Sequence, residues 1–143
     1  MSDGNARRHG WAWVLLTLVL ALHVTDEALT DFLSFYNPTV LSIRARIAWF
    51  PMPTFTFLPW LTGLIAAVLL LMALSPLVFQ GVRWLRPASY FFGVLMLLNG
   101  LGHTVGSLYF GRLLPGVYSS PLLLIASINL LMAASRAGTA KVS

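Results

Sequence analysis

Apolar residues are gathered into four long runs, and proline and glycine punctuate the short segments between them. A helix needs about 20 apolar residues to cross the hydrocarbon core of a bilayer, and each run is close to that length. The pattern predicts an all-α protein with a single membrane domain over residues 1–143. Its four transmembrane helices are expected to form a bundle, at about 11–33, 55–75, 88–109 and 117–134.

A polar segment, YNPTVLSIRARIAWFPMP at 36–53, separates the first two runs. Asn37 followed by Pro38 is typical of a helix N-cap and a first helical residue. We therefore expect a short interfacial helix between the first and second spans, with Arg44 and Arg46 at the lipid headgroups. A re-entrant loop that covers a cavity is the alternative for the same segment.

Basic residues in short loops indicate the direction of membrane insertion, because they favour the cytoplasmic side. A cytoplasmic N-terminus places six of the nine basic residues on that side: Arg7, Arg8, Arg83, Arg86, Arg136 and Lys141. The far side then holds only three: Arg44, Arg46 and Arg112. We expect both termini in the cytoplasm, the protein in a bacterial inner membrane, and His9 in solvent.

The mean hydropathy of +0.82 and the 9% share of charged residues exclude a soluble globular domain. A pI near 10.5 would suggest nucleic-acid binding in a soluble protein. Here the basic residues lie between apolar runs, where they meet anionic lipids. We therefore expect the protein to contact membrane lipids and not to bind nucleic acid. The sequence also allows a homodimer. The absence of cysteine excludes disulfides, thiolate metal ligands and a cysteine nucleophile.

Three of the four acidic residues lie in one stretch, HVTDEALTDF at 23–32, directly after the start of the first span. The run from Trp11 to Leu22 covers only about 18 Å as a helix, whereas the hydrocarbon core is about 30 Å thick. The helix must therefore continue to about Thr30, which brings the acidic stretch into the membrane. A solvated position beyond the span, and a cleaved signal peptide ending near Ala21, are the alternatives.

The polar residues of this stretch share one helix face, because their spacing is i, i+3, i+4, i+7 and i+8: His23, Asp26, Glu27, Thr30 and Asp31. An aspartate at the centre of a membrane helix costs about 2.5–3.5 kcal/mol on insertion scales, so such residues normally face a protein interior or a wet cavity. The first span is therefore expected to turn this face toward the bundle.

The third run repeats the same spacing in NGLGHTVGS: Asn99, Gly102, His103, Gly106 and Ser107. Small residues allow close packing of membrane helices, so packing alone is one explanation for this face. Counted along parallel helices at 1.5 Å per residue, His103 and Glu27 lie within about one helical turn of each other in depth. Two polar faces at one depth predict a site between the first and third spans.

The runs HVTDE and NGLGH, in this order, resemble the HXXEE family of small integral membrane proteins. That family carries a His-x-x-Glu-Glu run, an Asn-x-x-x-His run and an arginine. The resemblance assigns these positions to His23, Asp26, Glu27, Asn99, His103 and Arg112, with Arg44 and Arg46 as competitors for the arginine. Asp26 departs from the pattern, since the family has glutamate there. The resemblance implies an enzyme but no particular reaction.

The leading hypothesis is a metal-dependent intramembrane enzyme that hydrolyses a lipid-like substrate. His23 and Glu27, one turn apart on one helix, would bind a divalent zinc, manganese or iron ion together with His103 from the facing helix. Two histidines and one carboxylate leave a coordination position open for a water, which the ion would activate as a nucleophile.

The other candidate residues receive roles around that ion. Asp26 would act as a general base or orient a ligand, and Asn99 would orient His103 or donate to a developing oxyanion. Arg112 would bind an anionic headgroup, or pair with Asp31.

Three alternatives use the same residues differently. A metal-free isomerase of an apolar substrate would share one proton between Asp26 and Glu27 and pass it through His103. A haem protein would use His23 and His103 as axial ligands. A proton-coupled carrier would use the acidic residues as a relay.

Overall fold

The computed structural model describes residues 3–139, which form five α-helices and no strands. They are α1 (Asp3–Leu29), α2 (Phe32–Arg46), α3 (Phe57–Phe79), α4 (Leu85–Phe110) and α5 (Ser120–Thr139). Four helices are long and apolar enough to span a membrane, and α2 is the short helix between the first two of these. The prediction of an all-α, four-span bundle with an additional short helix is confirmed.

The break between α1 and α2 lies earlier than the hydrophobic pattern predicted. Asp31 adopts a left-handed conformation with φ 57° and ψ 52°, so the first span ends at Leu29 rather than near residue 33. The prediction that Asn37 caps α2 is wrong, because the helix already begins at Phe32. The Asn37 amide instead donates to the Phe55 carbonyl and accepts from the Phe55 N–H, at 2.8 and 3.1 Å.

The four spanning helices form an open arrangement around α1. Helix α1 packs against α3 on one side and α5 on the other, and α5 packs against α4. Helices α3 and α4 have little contact with each other, so a gap remains between them. Gly100 allows the close approach of α4 to α5, since a Cβ there would lie 3.0 Å from Leu124 Cδ2. Gly102, by contrast, is exposed, and a Cβ added there would meet no atom of the described residues within 4 Å.

The core lies along α1 and is filled by large apolar side chains. Trp13 and Leu16 are fully buried there, and Leu123 and Leu130 of α5 are buried against the same cluster. The Trp13 indole N–H donates to the carbonyl of Leu71 at 2.8 Å, which ties α1 to α3. Apolar packing thus fixes α1 between its two neighbours and orients the polar stretch that follows.

The ends of α1 and α5 lie together, because the Asn5 amide donates to the Arg136 carbonyl at 3.4 Å. The Arg86 guanidinium donates to the Ala134 carbonyl at the same end of the bundle. Lys141 lies outside the described residues. The expectation that His9 is in solvent is wrong: its side chain is buried, with Nε2 2.7 Å from the Ser89 hydroxyl.

Candidate metal centre

Three side chains predicted as metal ligands converge at one point inside the bundle. His23 and Glu27 project from the same face of α1, one turn apart, and His103 reaches them from α4. His103 Nε2 lies 3.0 Å from Glu27 Oε1, and His23 Nε2 lies 3.4 Å from the same oxygen. All three side chains are buried. The i, i+4 spacing on α1 therefore produces the arrangement that the sequence predicted.

The spacing of these atoms suits a small divalent ion. Ligand atoms about 2.0–2.1 Å from a tetrahedral zinc ion lie about 3.3–3.4 Å from one another. The two distances to Glu27 Oε1 are close to this value, and the three ligand atoms lie within 4.8 Å of one another. The His23, Glu27 and His103 group could thus hold a metal ion.

A hydrogen-bonded chain behind His23 sets the tautomer of its ring. The Ser119 N–H and hydroxyl both donate to Asp26 Oδ2, at 2.9 and 2.7 Å. Because that hydroxyl has a single proton, its oxygen is left to accept from His23 Nδ1–H, at 2.7 Å. The neutral ring therefore carries its proton on Nδ1 and leaves the Nε2 lone pair directed at the cluster. A metal ligand needs this tautomer.

His23 Nε2 is the one buried side-chain nitrogen or oxygen, among the described residues, that has no hydrogen-bond partner. It lies 3.4 Å from Glu27 Oε1. With the ring proton on Nδ1, however, Nε2 has only a lone pair, and the carboxylate oxygen has no proton to donate to it. Leaving a buried polar atom unsatisfied costs about 1–3 kcal/mol. A cation between His23 and Glu27 would remove that cost.

Gly116, in the turn between α4 and α5, packs directly against the cluster. It has φ +83°, and a Cβ there would lie 2.8 Å from His103 Cε1 and 3.1 Å from Glu27 Cγ. Its N–H donates to the Thr30 hydroxyl at 3.3 Å. The turn therefore packs against both Glu27 and His103, and only a residue without a side chain fits there.

The remaining predicted site residues surround this cluster without joining it. Asp26 is half-buried and acts on His23 through Ser119, which supports the orienting role. Asn99 is half-buried one turn before His103 on α4, and no hydrogen bond joins its side chain to another described residue. Arg112 is exposed, and its guanidinium lies 5.9 Å from the Phe35 ring centre.

The expected ion pair between Arg112 and Asp31 is absent from the described residues. The Asp31 carboxylate accepts from the Ser34 hydroxyl at 2.5 Å instead. Both Arg112 and Asp31 line a cavity of about 640 Å³ between α2 and the turn after α4, which has a mixed polar and apolar lining and is here called the polar cavity. Arg112 therefore lies exposed at the end of the bundle that α2 and this turn form, and its charge does not face the cluster.

A second cavity, here called the lateral cavity, has a volume of about 640 Å³ and lies between α3 and α4. Its walls are mostly apolar and aromatic, with Trp60 and Met96 buried at the bottom. Two of the predicted site residues, Glu27 and Asn99, lie on its wall. The lateral cavity is therefore a mostly apolar space that reaches the ligand cluster at Glu27.

The geometry disfavours a haem between the two histidines. The His23 and His103 rings lie 4.9 Å apart at an angle of 74°, and Glu27 Oε1 is close to both. Axial ligands need room for a macrocycle between them, and here a carboxylate occupies that space.

Two residues of the site were missed in the sequence. Ser119 precedes Ser120 and Pro121, and this pattern is typical of a helix start but does not indicate a functional site. Gly116 follows Pro115 and indicated only a turn. Their contact with the cluster depends on how α5 packs against α1. No local spacing rule could have revealed it.

We expect Ser119→Ala to weaken metal binding by about 10–100-fold, because outer-shell hydrogen bonds to ligating histidines have effects of this size. Ser119→Thr keeps the hydroxyl and should restore binding, which a purely structural role for the position would not predict. Ser127→Ala is the matched control: Ser127 is buried as Ser119 is, but it lies within α5 and its hydroxyl donates to the Leu123 carbonyl of the same helix at 2.6 Å. Zinc titration of the purified variants measures the effect, and equal losses in the alanine variants would contradict it.

Comparisons with known proteins give no guide to this cluster. No family model, curated protein or solved structure matches the chain. The function has to be inferred from the chemistry of the buried cluster and from the two cavities beside it.

Proposed function

We propose that this protein is a metal-dependent hydrolase that cleaves a lipid-like substrate inside a membrane. The observation that carries the proposal is the convergence of His23 Nε2, Glu27 Oε1 and His103 Nε2 in a buried cluster whose Glu27 lines a mostly apolar cavity. Two histidines and a carboxylate form a common catalytic zinc set, which leaves a position for water. We also propose that the protein lies in a bacterial inner membrane and that it is related to the HXXEE family.

The bound ion would supply a Lewis acid and lower the pKa of a water. In ester hydrolysis the water oxygen joins the carbonyl carbon, the C–O bond to the alcohol breaks, and the water protons end on the two products. Asn99 lines the lateral cavity together with Glu27, and its side chain has no hydrogen bond to another described residue, so it would donate to the developing oxyanion. Asp26 would hold His23 in place through Ser119.

Arg112 would serve the polar part of the substrate. Its guanidinium lines the polar cavity together with Asp31 and Ser34, about one helical turn beyond the cluster along the α1–α2 junction. A guanidinium pairs well with phosphate or carboxylate. An anionic headgroup is therefore the feature that Arg112 would favour, without touching the bond that breaks.

A metal-free acid/base enzyme is the second candidate. The contact of 3.0 Å between His103 Nε2 and Glu27 Oε1 is short enough for a proton to be shared. In that case the protein would move a proton on an apolar substrate, for example in a double-bond isomerisation, and the substrate would keep all its atoms. The two candidates differ in their need for a metal.

Metal removal tests the proposal. We expect the protein, purified in detergent without chelators, to contain about one zinc, manganese or iron ion per chain by elemental analysis. Hydrolysis of long-chain esters such as 4-methylumbelliferyl palmitate should disappear after dialysis against a chelator and return when the same metal is added. Ester hydrolysis that survives complete metal removal would contradict the proposal. So would a chain that binds no metal.

A further inference from the structure

We propose that the lateral cavity binds the hydrocarbon chain of a membrane lipid, which enters sideways between α3 and α4 past Gly63. This inference rests on the proposed function only for what happens to the reactive end of that lipid. The binding of the chain itself is argued from burial and contacts, and it can be measured without any reaction.

The exposure of the wall residues shows where the lateral cavity opens. Gly63 on α3 and Leu95 and Leu98 on α4 are exposed, as are Pro59 at the start of α3 and Met52 and Phe55 in the segment before it, whereas Trp60 and Met96 are buried. The mouth therefore runs along the gap between α3 and α4, two helices long and apolar enough to span a membrane, and reaches the segment before α3 at one end. Hydrocarbon, rather than water, surrounds such a mouth at this depth.

The opposite approach, from the outer aqueous side, is covered by α2 and the extended segment before α3. The Tyr36 hydroxyl donates to the Pro53 carbonyl at 2.8 Å, and the Arg44 guanidinium donates to the Met52 carbonyl. Asn37 fixes Phe55 through two hydrogen bonds. Burial raises the pKa of the Tyr36 phenol, against a smaller opposing effect of Arg44, so the hydroxyl stays a donor at neutral pH.

Aromatic rings line the path from the cavity to the ligand cluster. The Phe32 ring stacks on Trp60 with centres 5.8 Å apart and lies 5.7 Å from the His103 ring. An apolar chain held against these rings would bring its polar end to Glu27 and Asn99, the polar wall residues nearest the cluster. A volume of about 640 Å³ is within the range of roughly 300–1,000 Å³ found for small-molecule sites.

Gly63 is the position at which the mouth can be closed without disturbing the fold. A Cβ added there meets nothing within 4 Å, so a larger side chain would fill the entrance rather than clash with the backbone. Ile65 lies two residues along the same helix and is also exposed, but it does not line the cavity. Phenylalanine at Gly63 or at Ile65 adds bulk to the same turn of α3, but only at Gly63 does the ring lie at the cavity.

The test is photolabelling of the full chain in liposomes with palmitic acid that carries a diazirine on its chain. We expect wild-type label at Met96 and Leu64, which line the lateral cavity, above the background at lipid-facing Leu69. Gly63→Phe should lower the cavity label roughly tenfold, and Ile65→Phe should leave it unchanged. Thermal unfolding of both variants checks that they are folded.

Two results would overturn the inference: cavity label no higher than the Leu69 background in the wild type, or an equal loss of label in the two phenylalanine variants. The labelling requires neither a metal nor hydrolysis. Intact labelling in a protein that hydrolyses no ester would therefore count against the proposed function alone, whereas hydrolysis without cavity labelling would count against this inference alone.

Discussion

Glu27→Gln is expected to lower the affinity for zinc by roughly 100-fold or more, beyond the 10–100-fold typical of outer-shell changes. Glutamine keeps the size of the side chain but removes the charge and the carboxylate oxygen that lies 3.0 and 3.4 Å from the two histidine nitrogens. The amide is a poor ligand for zinc. Because the buried volume is conserved, the variant should still fold. Zinc titration and elemental analysis of the purified protein measure the loss.

Asp31→Asn is the matched control for this prediction. Asp31 belongs to the same acidic stretch, but it is exposed and its carboxylate bonds to Ser34 rather than to the cluster. Asparagine tolerates the left-handed conformation found at this position. The control should bind zinc as the wild type does. If the two variants lose zinc equally, then general electrostatics, and not ligation by Glu27, accounts for metal binding.

Gly116→Ala is expected to remove metal binding and to lower the free energy of unfolding by about 1–3 kcal/mol. The left-handed backbone at φ +83° costs an alanine about 1–2 kcal/mol. The added Cβ would also meet His103 Cε1 at 2.8 Å, which is closer than carbon atoms approach, so the ring must move away from Glu27. Zinc titration and thermal unfolding of the same samples separate the two effects.

Gly111→Ala provides the comparison that isolates the contact with His103. Gly111 also has a left-handed backbone, with φ +62°, but a Cβ there meets nothing within 4 Å. Its alanine variant should lose a similar amount of stability and keep its metal. Equal metal affinities in the two alanine variants would mean that Gly116 does not shape the site.

The parts of the structure that follow from local pattern were predictable. The length of the apolar runs indicated four spans, and the i, i+4 spacing of His23 and Glu27 placed them on one face of α1. The depth argument brought His103 to the same level, where its Nε2 contacts Glu27. These predictions needed only helix geometry and the thickness of a bilayer.

The parts that depend on tertiary packing were not predictable. The left-handed Asp31 ends α1 early, although nothing in the sequence around it is a strong helix breaker. Ser119 and Gly116 reach the cluster because α5 packs beside α1, and the gap between α3 and α4 exists because these helices barely meet. The spacing of polar residues indicated that α1 and α4 share a site, but no pattern in the sequence indicated that α5 packs beside α1 or that α3 and α4 barely meet.

The order of the site residues along the chain has a consequence for biogenesis. His23 and its partner Ser119 are 96 positions apart, so ribosomes that add about 5–20 residues per second need roughly 5–20 s to make the second after the first. During that interval His23 and Asp26 lie on a helix long and apolar enough to span a membrane without the bonds that Ser119 supplies, and polar side chains at membrane depth cost several kcal/mol. Ser119, directly before α5, supplies the bonds that His23 and Asp26 lack until then. Retention of the nascent protein at the insertion machinery should therefore end only when α5 arrives, and a chain truncated before Ser119 should be a substrate for membrane proteases.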